Sequence, residues 1–432
     1  MVTSQLKREL GLGEAILLGL GSILGTGVFV SLGIAAGITG PSVLLAILLA
    51  GGLACCNALS SAQLAAAHPV SGGTYEYGYQ FLNAPMGFLA GWFFLLAKSA
   101  SAATAALGVT GYVLSGLNLP LEIGTQLAAV VTLLLTGIVW AGLRRSNQVN
   151  TVIVSLTLLA LLAFIVCGLL GTVGAETSLF QQEFFEGESA PEHVSRFLEA
   201  TALLFVAFTG YGRIATMAEE VKNPKRTIPQ AILLTLVFST ILYLGVAWAA
   251  VGIMGTEELS AATLSTGAPL QIASEQLGIS FLPELIFLGA ITAMLGVLLN
   301  LILGLSRVYL AMARRGDMPK SLAILSSTNQ SPSAAILTAG GVILVLVLIG
   351  DIKTTWSFSA FTVLLYYAIT NAAALKLTPE IRLYPRWVSW VGLFGCLGLA
   401  VWIEFTVLIV GLSLAILGLF WHICFQRFRS TL

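Results

Sequence analysis

The sequence predicts an all-α integral membrane protein with twelve transmembrane helices, arranged as two inverted five-helix repeats plus two peripheral helices. Three observations support this fold class. Hydrophobic residues make up 57% of the chain and charged residues only 9%, whereas soluble proteins carry about 25% charged residues. Basic residues are concentrated in alternate loops, and two apolar segments carry glycine-rich interruptions at corresponding positions. The neutral charge balance gives no indication of a nucleic-acid partner. The high hydrophobic content makes the lipid bilayer the expected environment.

Twelve apolar runs have the length of a membrane helix, which needs about 20 residues to cross the hydrocarbon core. The first run is too long for a signal-peptide core and has no small-residue cleavage site, so we interpret it as a retained helix. The last two runs meet at Trp402 with almost no loop, which leaves eleven segments as the alternative count. The runs lie at residues 12–36, 41–66, 86–116, 124–142, 150–172, 197–220, 229–253, 283–312, 332–350, 355–377, 387–403 and 405–425.

The distribution of basic residues predicts an even number of helices with both termini in the cytoplasm. With the N-terminus inside, the chain's 20 Lys and Arg residues lie on the cytoplasmic side with four exceptions: Lys98, Arg196, Arg213 and Lys353. Cytoplasmic loops of membrane proteins carry such an excess of positive charge. The two glutamate-rich loops fall on the outer side. The short termini and compact loops predict a multi-pass protein of a prokaryotic plasma (inner) membrane.

The first apolar segment contains GSILGTGVFV, residues 21–30, in which Gly21, Gly25 and Gly27 each weaken a helix by about 1 kcal/mol. A phosphate-binding glycine loop is excluded, because such a loop follows a strand in a soluble βαβ unit. A Gly-xxx-Gly packing seam formed by Gly21 and Gly25 is one interpretation. The other is an unwound segment in mid-membrane that binds a ligand through its backbone, since non-helical backbone persists there where it lines a cavity.

The sixth segment has a matching interruption, FTGYG, at residues 208–212. It opens the second group of five helices just as the first interruption opens the first group. Interrupted segments in corresponding positions of two halves indicate the midplane site of a transporter, so the pair favours ligand binding. It also predicts four regions: a first inverted repeat at 1–173, an extracellular loop at 174–196, a second inverted repeat at 197–378, and the last two helices with a short cytoplasmic tail at 379–432.

Four motifs resemble the amino acid–polyamine–organocation superfamily of secondary transporters. They anchor the chain through Lys320, whereas the last four helices match the family only in hydropathy. The resemblance implies two inverted five-helix repeats with two peripheral helices, and alternating access around a site at the breaks in helices 1 and 6. The motifs are GSILGTGVF, HPVSGGTYEY in the first cytoplasmic loop, AFTGYGRIATMAEEVKNPKRTIP across helix 6 and its following loop, and SRVYLAMARRGDMPK at the end of helix 8.

The resemblance places an amino acid substrate at the two breaks. Its carboxylate would meet Thr26 and the backbone amides around it, and its ammonium would meet the carbonyl of Ile23 and carbonyls of the sixth helix. The physical chemistry agrees, because N–H groups at a helix start suit an anion and free carbonyls suit a cation. Phe208 is also a candidate gate over the substrate, with Tyr211 as a second candidate. The implied substrate-binding residues are Ile23, Gly25, Thr26, Gly27, Val206, Phe208, Thr209 and Gly210.

Departures from the family bear on the substrate and the coupling ion. Where arginine/agmatine exchangers carry a tryptophan and a glutamate on helix 6, this chain has Val206 and Gly212. The missing counter-charge predicts a neutral amino acid as the substrate. The helix-5 position where some proton-coupled relatives carry a lysine is Thr157, and helix 8 has no clear Thr-Ser pair for sodium. The sequence therefore supports neither of these two ion sites.

Charged residues near the membrane interior are the remaining candidates for function. Lys98, midway along helix 3, is costly to bury alone. It would act as a proton carrier or replace the missing cation; the alternative is a static salt bridge or a hydrated lysine. Arg213 would meet a substrate carboxylate or pair with an acid. Glu219 and Glu220, beside KNPKR, would form a cytoplasmic gate or simply a solvated face.

These features together predict a secondary active transporter of amino acids, with protons as the candidate coupling ion and an open oligomeric state. One alternative is an exchanger of polyamines or other organic cations, which calls for a buried carboxylate near the breaks. Another is a non-transporting nutrient sensor, which would carry a long cytoplasmic tail. An enzyme is excluded because no nucleophile or acid cluster is visible. We expect no cofactor or metal, since the three histidines are scattered and the five cysteines lack CxxC spacing.

Overall fold

The computed structural model describes residues 11–68, 72–142, 147–171, 190–216, 222–326 and 331–430, and all regular structure in them is helical. A bilayer favours such a fold because a helix satisfies its backbone hydrogen bonds internally. The α-helices within these ranges are α1 (Leu12–Ile23), α2 (Leu32–Thr39), α3 (Val43–Ala67), α4 (Thr74–Phe81), α5 (Ala84–Gly116), α6 (Gly124–Trp140), α7 (Asn147–Gly171), α8 (Ala190–Ala207), α9 (Gly212–Thr216), α10 (Pro224–Thr266), α11 (Pro269–Gln276), α12 (Leu282–Arg315), α13 (Ser333–Ile349), α14 (Ile352–Ala374), α15 (Arg386–Ala400) and α16 (Phe405–Ser430).

Each of the twelve predicted segments coincides with one helix or with two helices separated by a break. The first segment corresponds to α1 and α2, and the sixth to α8 and α9. In the described ranges, nine helical stretches are long and apolar enough to cross a membrane, and α1, α13 and α15 are shorter apolar helices. The structure therefore agrees with a multi-pass helical protein. The count of twelve crossings, the inverted repeats and the four regions remain predictions.

Four stretches that were predicted as loops are helical, and one of them is α11, in the predicted loop between residues 253 and 283. α8 begins at Ala190, inside the predicted extracellular loop, and α4 occupies part of the first cytoplasmic loop. α10 continues past the predicted end of its segment to Thr266, with a bend at Gly255, whose φ of 75° suits glycine. These helices were missed because their extra turns are too polar or too short to register as membrane spans.

Helix α5 lies at the centre of the bundle and packs against α14, α12 and α4. Two pairs of hydroxyls tie it to α14: Ser101 Oγ lies 2.6 Å from Ser359 Oγ, and Thr104 Oγ1 donates to Thr355 Oγ1 at 2.8 Å. Small residues and interhelical hydroxyl bonds are what allow helices to approach closely in a membrane. This packing carries Lys98, on the same helix, into the interior of the protein.

A buried polar network attaches α15, predicted as peripheral, to the central helices. Asn371 Nδ2 donates to Asn57 Oδ1 at 2.5 Å, and Cys396 Sγ donates to the same oxygen at 3.3 Å. Ser60 Oγ and Ser389 Oγ lie 2.9 Å apart. Because α3, α14 and α15 each contribute to these bonds, α14 is tied to α3 and α15 as well as to α5.

Candidate functional site

The first helix is interrupted inside GSILGTGVFV, as the sequence predicts. α1 ends at Ile23, and Leu24 takes an extended backbone with φ −74° and ψ 108°. Helical backbone resumes at Thr26 and passes through a π-helical turn at Gly27–Ser31. A helix end leaves its last carbonyls without intrahelical donors, and a helix start leaves its first amides without acceptors. The interruption therefore presents both kinds of backbone group in mid-segment.

The sixth segment is interrupted in the same manner. α8 ends at Ala207, Phe208 forms a turn, and Thr209–Tyr211 make one 3₁₀ turn before α9 begins at Gly212. The change of pitch from α to 3₁₀ shifts the backbone donors away from the carbonyls that end α8. The second predicted break is thus present, and it presents carbonyl oxygens where α8 stops.

Two glycines allow the two breaks to touch through their backbones. A Cβ atom at Gly210 would lie 2.2 Å from the carbonyl oxygen of Ser22 and 2.7 Å from the amide nitrogen of Ile23. A Cβ at Gly27 would lie 2.5 Å from the Cβ of Ala207. Cβ atoms in proteins do not approach other atoms this closely, so only glycine fits either position. Gly27 and Gly210 are required by the contact between the breaks.

Two other glycines of the motif, Gly21 and Gly25, pack closely against neighbouring helices, as the packing-seam interpretation predicts. A Cβ at Gly21 would lie 2.5 Å from Oδ1 of Asn150 on α7, and a Cβ at Gly25 would lie 2.7 Å from Cγ2 of Val297 on α12. Small residues at such contacts let neighbouring helices approach. The motif therefore combines a packing surface toward α7 and α12 with an interruption that faces the sixth segment.

Tyr243 of α10 bridges the two breaks. Its hydroxyl lies 3.0 Å from the carbonyl oxygen of Ile23 and 3.2 Å from that of Ala207, and its one proton is shared between them. These carbonyls end α1 and α8, where intrahelical donors are missing. The ring of Tyr243 packs against Phe208 with centroids 5.1 Å apart. Sequence reasoning missed Tyr243, because it is a single tyrosine in a long apolar helix with no motif around it.

We expect Tyr243→Phe to lower the thermal stability of the protein and to weaken substrate binding. The substitution leaves two buried carbonyls without their side-chain donor, which costs about 1–3 kcal/mol. Thermal unfolding in detergent and the KM for uptake measure the two effects. Tyr309→Phe is the matched control, because Tyr309 is buried in α12 without a hydrogen bond to any residue that the structure describes. Equal shifts in both variants would contradict a bridging role.

Lys98 reaches the second break from α5. Its Nζ donates to Thr209 Oγ1 at 3.0 Å, and Thr209 Oγ1 donates in turn to the carbonyl oxygen of Val206 at 2.8 Å. The ammonium also lies 5.8 Å from the ring centroid of Tyr366, a cation–π distance. The side chain is only 9% exposed, and no acid of the described ranges lies within salt-bridge distance of it. The static salt bridge considered from the sequence is therefore not observed in those ranges.

Thr26 contributes a buried hydroxyl with an unused hydrogen-bonding capacity. The residue is 4% exposed, and within the described ranges its Oγ1 has no hydrogen-bond partner. Buried hydroxyls in proteins are nearly always hydrogen-bonded, so an unpartnered one needs an explanation. It lies where helical backbone restarts, and the first amides of a helix attract anions. The first break thus offers donors for an anion near Thr26 and an acceptor for a cation at Ile23.

The other predicted site residues differ in their burial and in their contacts. Phe208 is fully buried and Val206 is 5% exposed, so both line the inside of the second break. A Cβ at Gly212 would meet no atom of the described residues within 4 Å. Arg213 lies half-buried in the first turn of α9. Thr157 donates to the carbonyl of its own helix at Ile153, 2.8 Å away. Glu219 and Glu220 lie outside the described residues.

Two of the family motifs, HPVSGGTYEY and SRVYLAMARRGDMPK, meet at Asp317, a buried residue that follows α12. Tyr75 and Tyr79 of α4 each donate a hydroxyl to Asp317 Oδ2 at 2.7 Å. From α16, Trp421 Nε1 donates to the Asp317 carbonyl oxygen at 3.0 Å. The Nδ1 atom of His422 lies 3.2 Å from Asp317 Oδ1, outside hydrogen-bond geometry, so this contact is an ion pair only when the imidazole is protonated. Asp317 thus connects α4, α12 and α16.

A salt bridge between Arg315 and Glu76 lies beside the Asp317 cluster. The guanidinium of Arg315 lies 4.2 Å from the ring centroid of Tyr79 and forms a salt bridge with Glu76. Burial and the hydrogen bond to Asp317 raise the pKa of the Tyr75 phenol above its usual value, so the phenol keeps its proton and remains a donor. Tyr75, Glu76 and Arg315 lie in the family motifs and Tyr79 lies just after one of them, but the sequence gave no sign that they are partners.

We expect Asp317→Ala to destabilise the protein by about 3–5 kcal/mol, because it removes one partner from a buried polar cluster. Thermal unfolding in detergent measures the loss. Asp351→Ala is the control: Asp351 caps the start of α14 by accepting from the Thr354 amide at 2.8 Å, and losing such a cap costs about 1 kcal/mol. The cluster would have no special importance if the two variants unfolded at the same temperature.

Comparison with known proteins gives one family and several relatives. A family model described as amino acid permease matches residues 14–427. An uncharacterized transporter of Mycobacterium tuberculosis (strain ATCC 25618 / H37Rv) is 40% identical over 399 residues, covering 92% of this chain and 87% of that protein. A branched-chain amino acid permease of Bacillus subtilis is 28% identical over 340 residues, covering 76% and 72%. A vacuolar cationic amino acid transporter of Arabidopsis thaliana is 28% identical over 349 residues, covering 78% and 57%.

Proposed function

Because the chain belongs to the amino acid permease family of the amino acid–polyamine–organocation superfamily, we propose that it is a secondary active transporter of neutral amino acids. Its relatives are permeases and transporters, so it is a multi-pass membrane protein and not an enzyme. The proposal extends this to alternating access across the plasma membrane, with both termini in the cytoplasm, and to a substrate held between the two breaks.

The observation that carries the proposal is the pair of opposed breaks with complementary polar groups. The substrate carboxylate would accept from Thr26 Oγ1, which has no partner in the described ranges, and from the amides of Gly25 and Gly27. The ammonium would donate to the carbonyl oxygens of Ile23 and Val206. Each of these oxygens already accepts one hydroxyl proton, and a carbonyl oxygen has a second lone pair for another donor.

The choice of a neutral side chain rests on the charges around the second break. Gly212 supplies no carboxylate where a cationic substrate would need one, and the ammonium of Lys98 lies 3.0 Å from the hydroxyl of Thr209. Family membership does not decide this point. One relative is named for branched-chain amino acids and another for cationic amino acids, so the side chains at the site have to distinguish the classes.

Proton coupling is the second part of the proposal, and Lys98 is its carrier. The helix-5 position, Thr157, cannot titrate, and its hydroxyl is bonded within its own helix. When protonated, Lys98 is a strong charge-assisted donor to Thr209. Loss of the proton would weaken this bond and release the second break from α5. Protonation would in this way control how firmly the break is held during the transport cycle.

Reconstitution into liposomes tests the proposal. Uptake of a panel of radiolabelled amino acids is measured under an imposed pH gradient, an imposed sodium gradient or no gradient, with protein-free liposomes as the control. We expect uptake of at least one neutral amino acid, increased by an inwardly directed proton gradient and not by sodium. Failure to take up or exchange any amino acid or amine would reject transport, and sodium dependence would reject the proton coupling.

A further inference from the structure

We propose that Lys98 is the residue that excludes cationic side chains from the site between the breaks. This inference rests on the proposed transport of amino acids at that site, and it adds which side chain decides charge selectivity. It requires that Lys98 face the site, that the attractive groups for a cation be occupied, and that no nearby acid cancel the charge of Lys98.

Lys98 meets the first requirement through its hydrogen bond to the second break. Its Nζ lies 3.0 Å from Thr209 Oγ1, and that hydroxyl is 2.8 Å from the Val206 carbonyl, one of the proposed substrate contacts. Two hydrogen bonds therefore connect the ammonium to the Val206 carbonyl, and the proposed substrate contact is the third bond in this chain. The ring of Tyr366 covers another side of the ammonium at 5.8 Å, and only 9% of the lysine is exposed.

The carbonyls that would attract a second positive charge are already in use. Tyr243 donates to the carbonyl oxygens of Ile23 and Ala207 at 3.0 and 3.2 Å, and Thr209 donates to that of Val206 at 2.8 Å. Their remaining lone pairs suffice for the α-ammonium that every amino acid carries. A second ammonium, on the substrate side chain, would have to compete for these three oxygens with the hydroxyl donors and with the α-ammonium.

Acidic residues that would cancel the lysine charge are remote or engaged elsewhere in the described ranges. Asp317 accepts hydrogen bonds from Tyr75 and Tyr79 in the cluster that connects α4, α12 and α16. On α8, Glu199 precedes Val206 by seven residues, which is about 10 Å along the helix axis. On α5, the full charge that reaches the second break is the ammonium of Lys98, and no acid of the described ranges lies within salt-bridge distance of it.

The size of the expected effect follows from Coulomb's law. Two like charges about 6 Å apart, at an effective dielectric constant of about 20, disfavour binding by roughly 100-fold. A carboxylate at position 98 would reverse the sign and favour a cationic side chain. An uncharged side chain of similar volume would remove the repulsion without adding attraction, so it should fall between the two.

Counterflow exchange in proteoliposomes, with equal pH on both sides, tests the inference. Radiolabelled leucine is the tracer, and unlabelled norleucine and lysine compete with it. These two competitors have the same carbon chain and differ in the terminal ammonium, so the ratio of their inhibition constants reports charge selectivity independently of the exchange rate. The variants are Lys98→Met, Lys98→Glu and, as the charge-retaining control, Lys98→Arg.

We expect lysine to compete at least 30-fold more weakly than norleucine in the unmodified protein and in Lys98→Arg. The ratio should fall about tenfold or more in Lys98→Met, and it should approach or pass unity in Lys98→Glu. If Lys98→Glu does not fold, as judged by thermal unfolding, Lys98→Met decides alone. An unchanged ratio in Lys98→Met, or equal competition by lysine and norleucine in the unmodified protein, would overturn the inference. A protein that exchanges no amino acid at all would instead reject the proposed function, and the inference with it.

Discussion

Transport is expected to be lost in Gly210→Ala, although the substitution adds a single methyl group. The new Cβ would lie 2.2 Å from the carbonyl oxygen of Ser22 and 2.7 Å from the amide nitrogen of Ile23. Both are backbone atoms at the end of α1, so no side-chain rotation relieves the clash. The second break would have to move away from the first, which separates the two carbonyls that Tyr243 bridges.

The expected loss cannot come from helix propensity, because alanine is a better helix former than glycine. Uptake into proteoliposomes should fall to background, and overpacking of this kind costs about 1–3 kcal/mol or more of stability. Gly212→Ala is the matched control two residues further on, where a Cβ would meet no atom of the described part of the chain within 4 Å. Near-normal uptake by Gly210→Ala would show that the close contact between the breaks is unimportant for transport.

Lys98→Ala should abolish uptake driven by a pH gradient while counterflow exchange remains measurable. The substitution removes the ammonium that donates to Thr209 of the second break, and it leaves the backbone groups proposed to recognise the substrate. Exchange of internal for external substrate needs no net proton movement, so it does not need the carrier. Accumulation against a concentration gradient does need it, because the proton gradient supplies the free energy.

The measurement compares initial uptake at several imposed pH gradients with counterflow at equal pH, in the same proteoliposome preparation. Lys376→Ala is the control, because Lys376 is exposed beyond the end of α14. It should keep the response to the pH gradient. A normal pH response in Lys98→Ala would exclude the proton role. Loss of both uptake and counterflow would mean that Lys98 serves the structure of the break and not coupling.

The positions of the two breaks were predictable from sequence because they depend on local composition. Gly25 and Gly210 interrupt long apolar runs, and two interruptions at matching places in the two halves favour function over packing. The structure adds that the first motif contains both a packing surface and an interruption, while ligand binding at the interruption stays a prediction. Gly21 and Gly25 pack against α7 and α12, whereas Gly27 and Gly210 bring the breaks together.

The partners of the polar groups were not predictable. Tyr243 and Ile23 are separated by 220 positions in the chain, and Tyr75 and Asp317 by 242. No periodicity within one apolar helix indicates which face meets which distant helix, since lipid-facing and protein-facing surfaces are both apolar. The helical turns at Ala190 and beyond Gly255 were missed for a related reason, because neither stretch has the length and hydropathy of a membrane span.

Sequence was sufficient to identify an all-helical membrane protein of the amino acid permease family and to locate the interruptions in its first and sixth segments. Those properties follow from hydropathy, glycine content and short motifs, all of which are local. The bond from Lys98 to Thr209, and the bridge that Tyr243 makes between the carbonyls of Ile23 and Ala207, became visible only once the helices were packed. A buried polar group takes the partner that folding brings within about 3 Å, and that distance depends on how the helices pack.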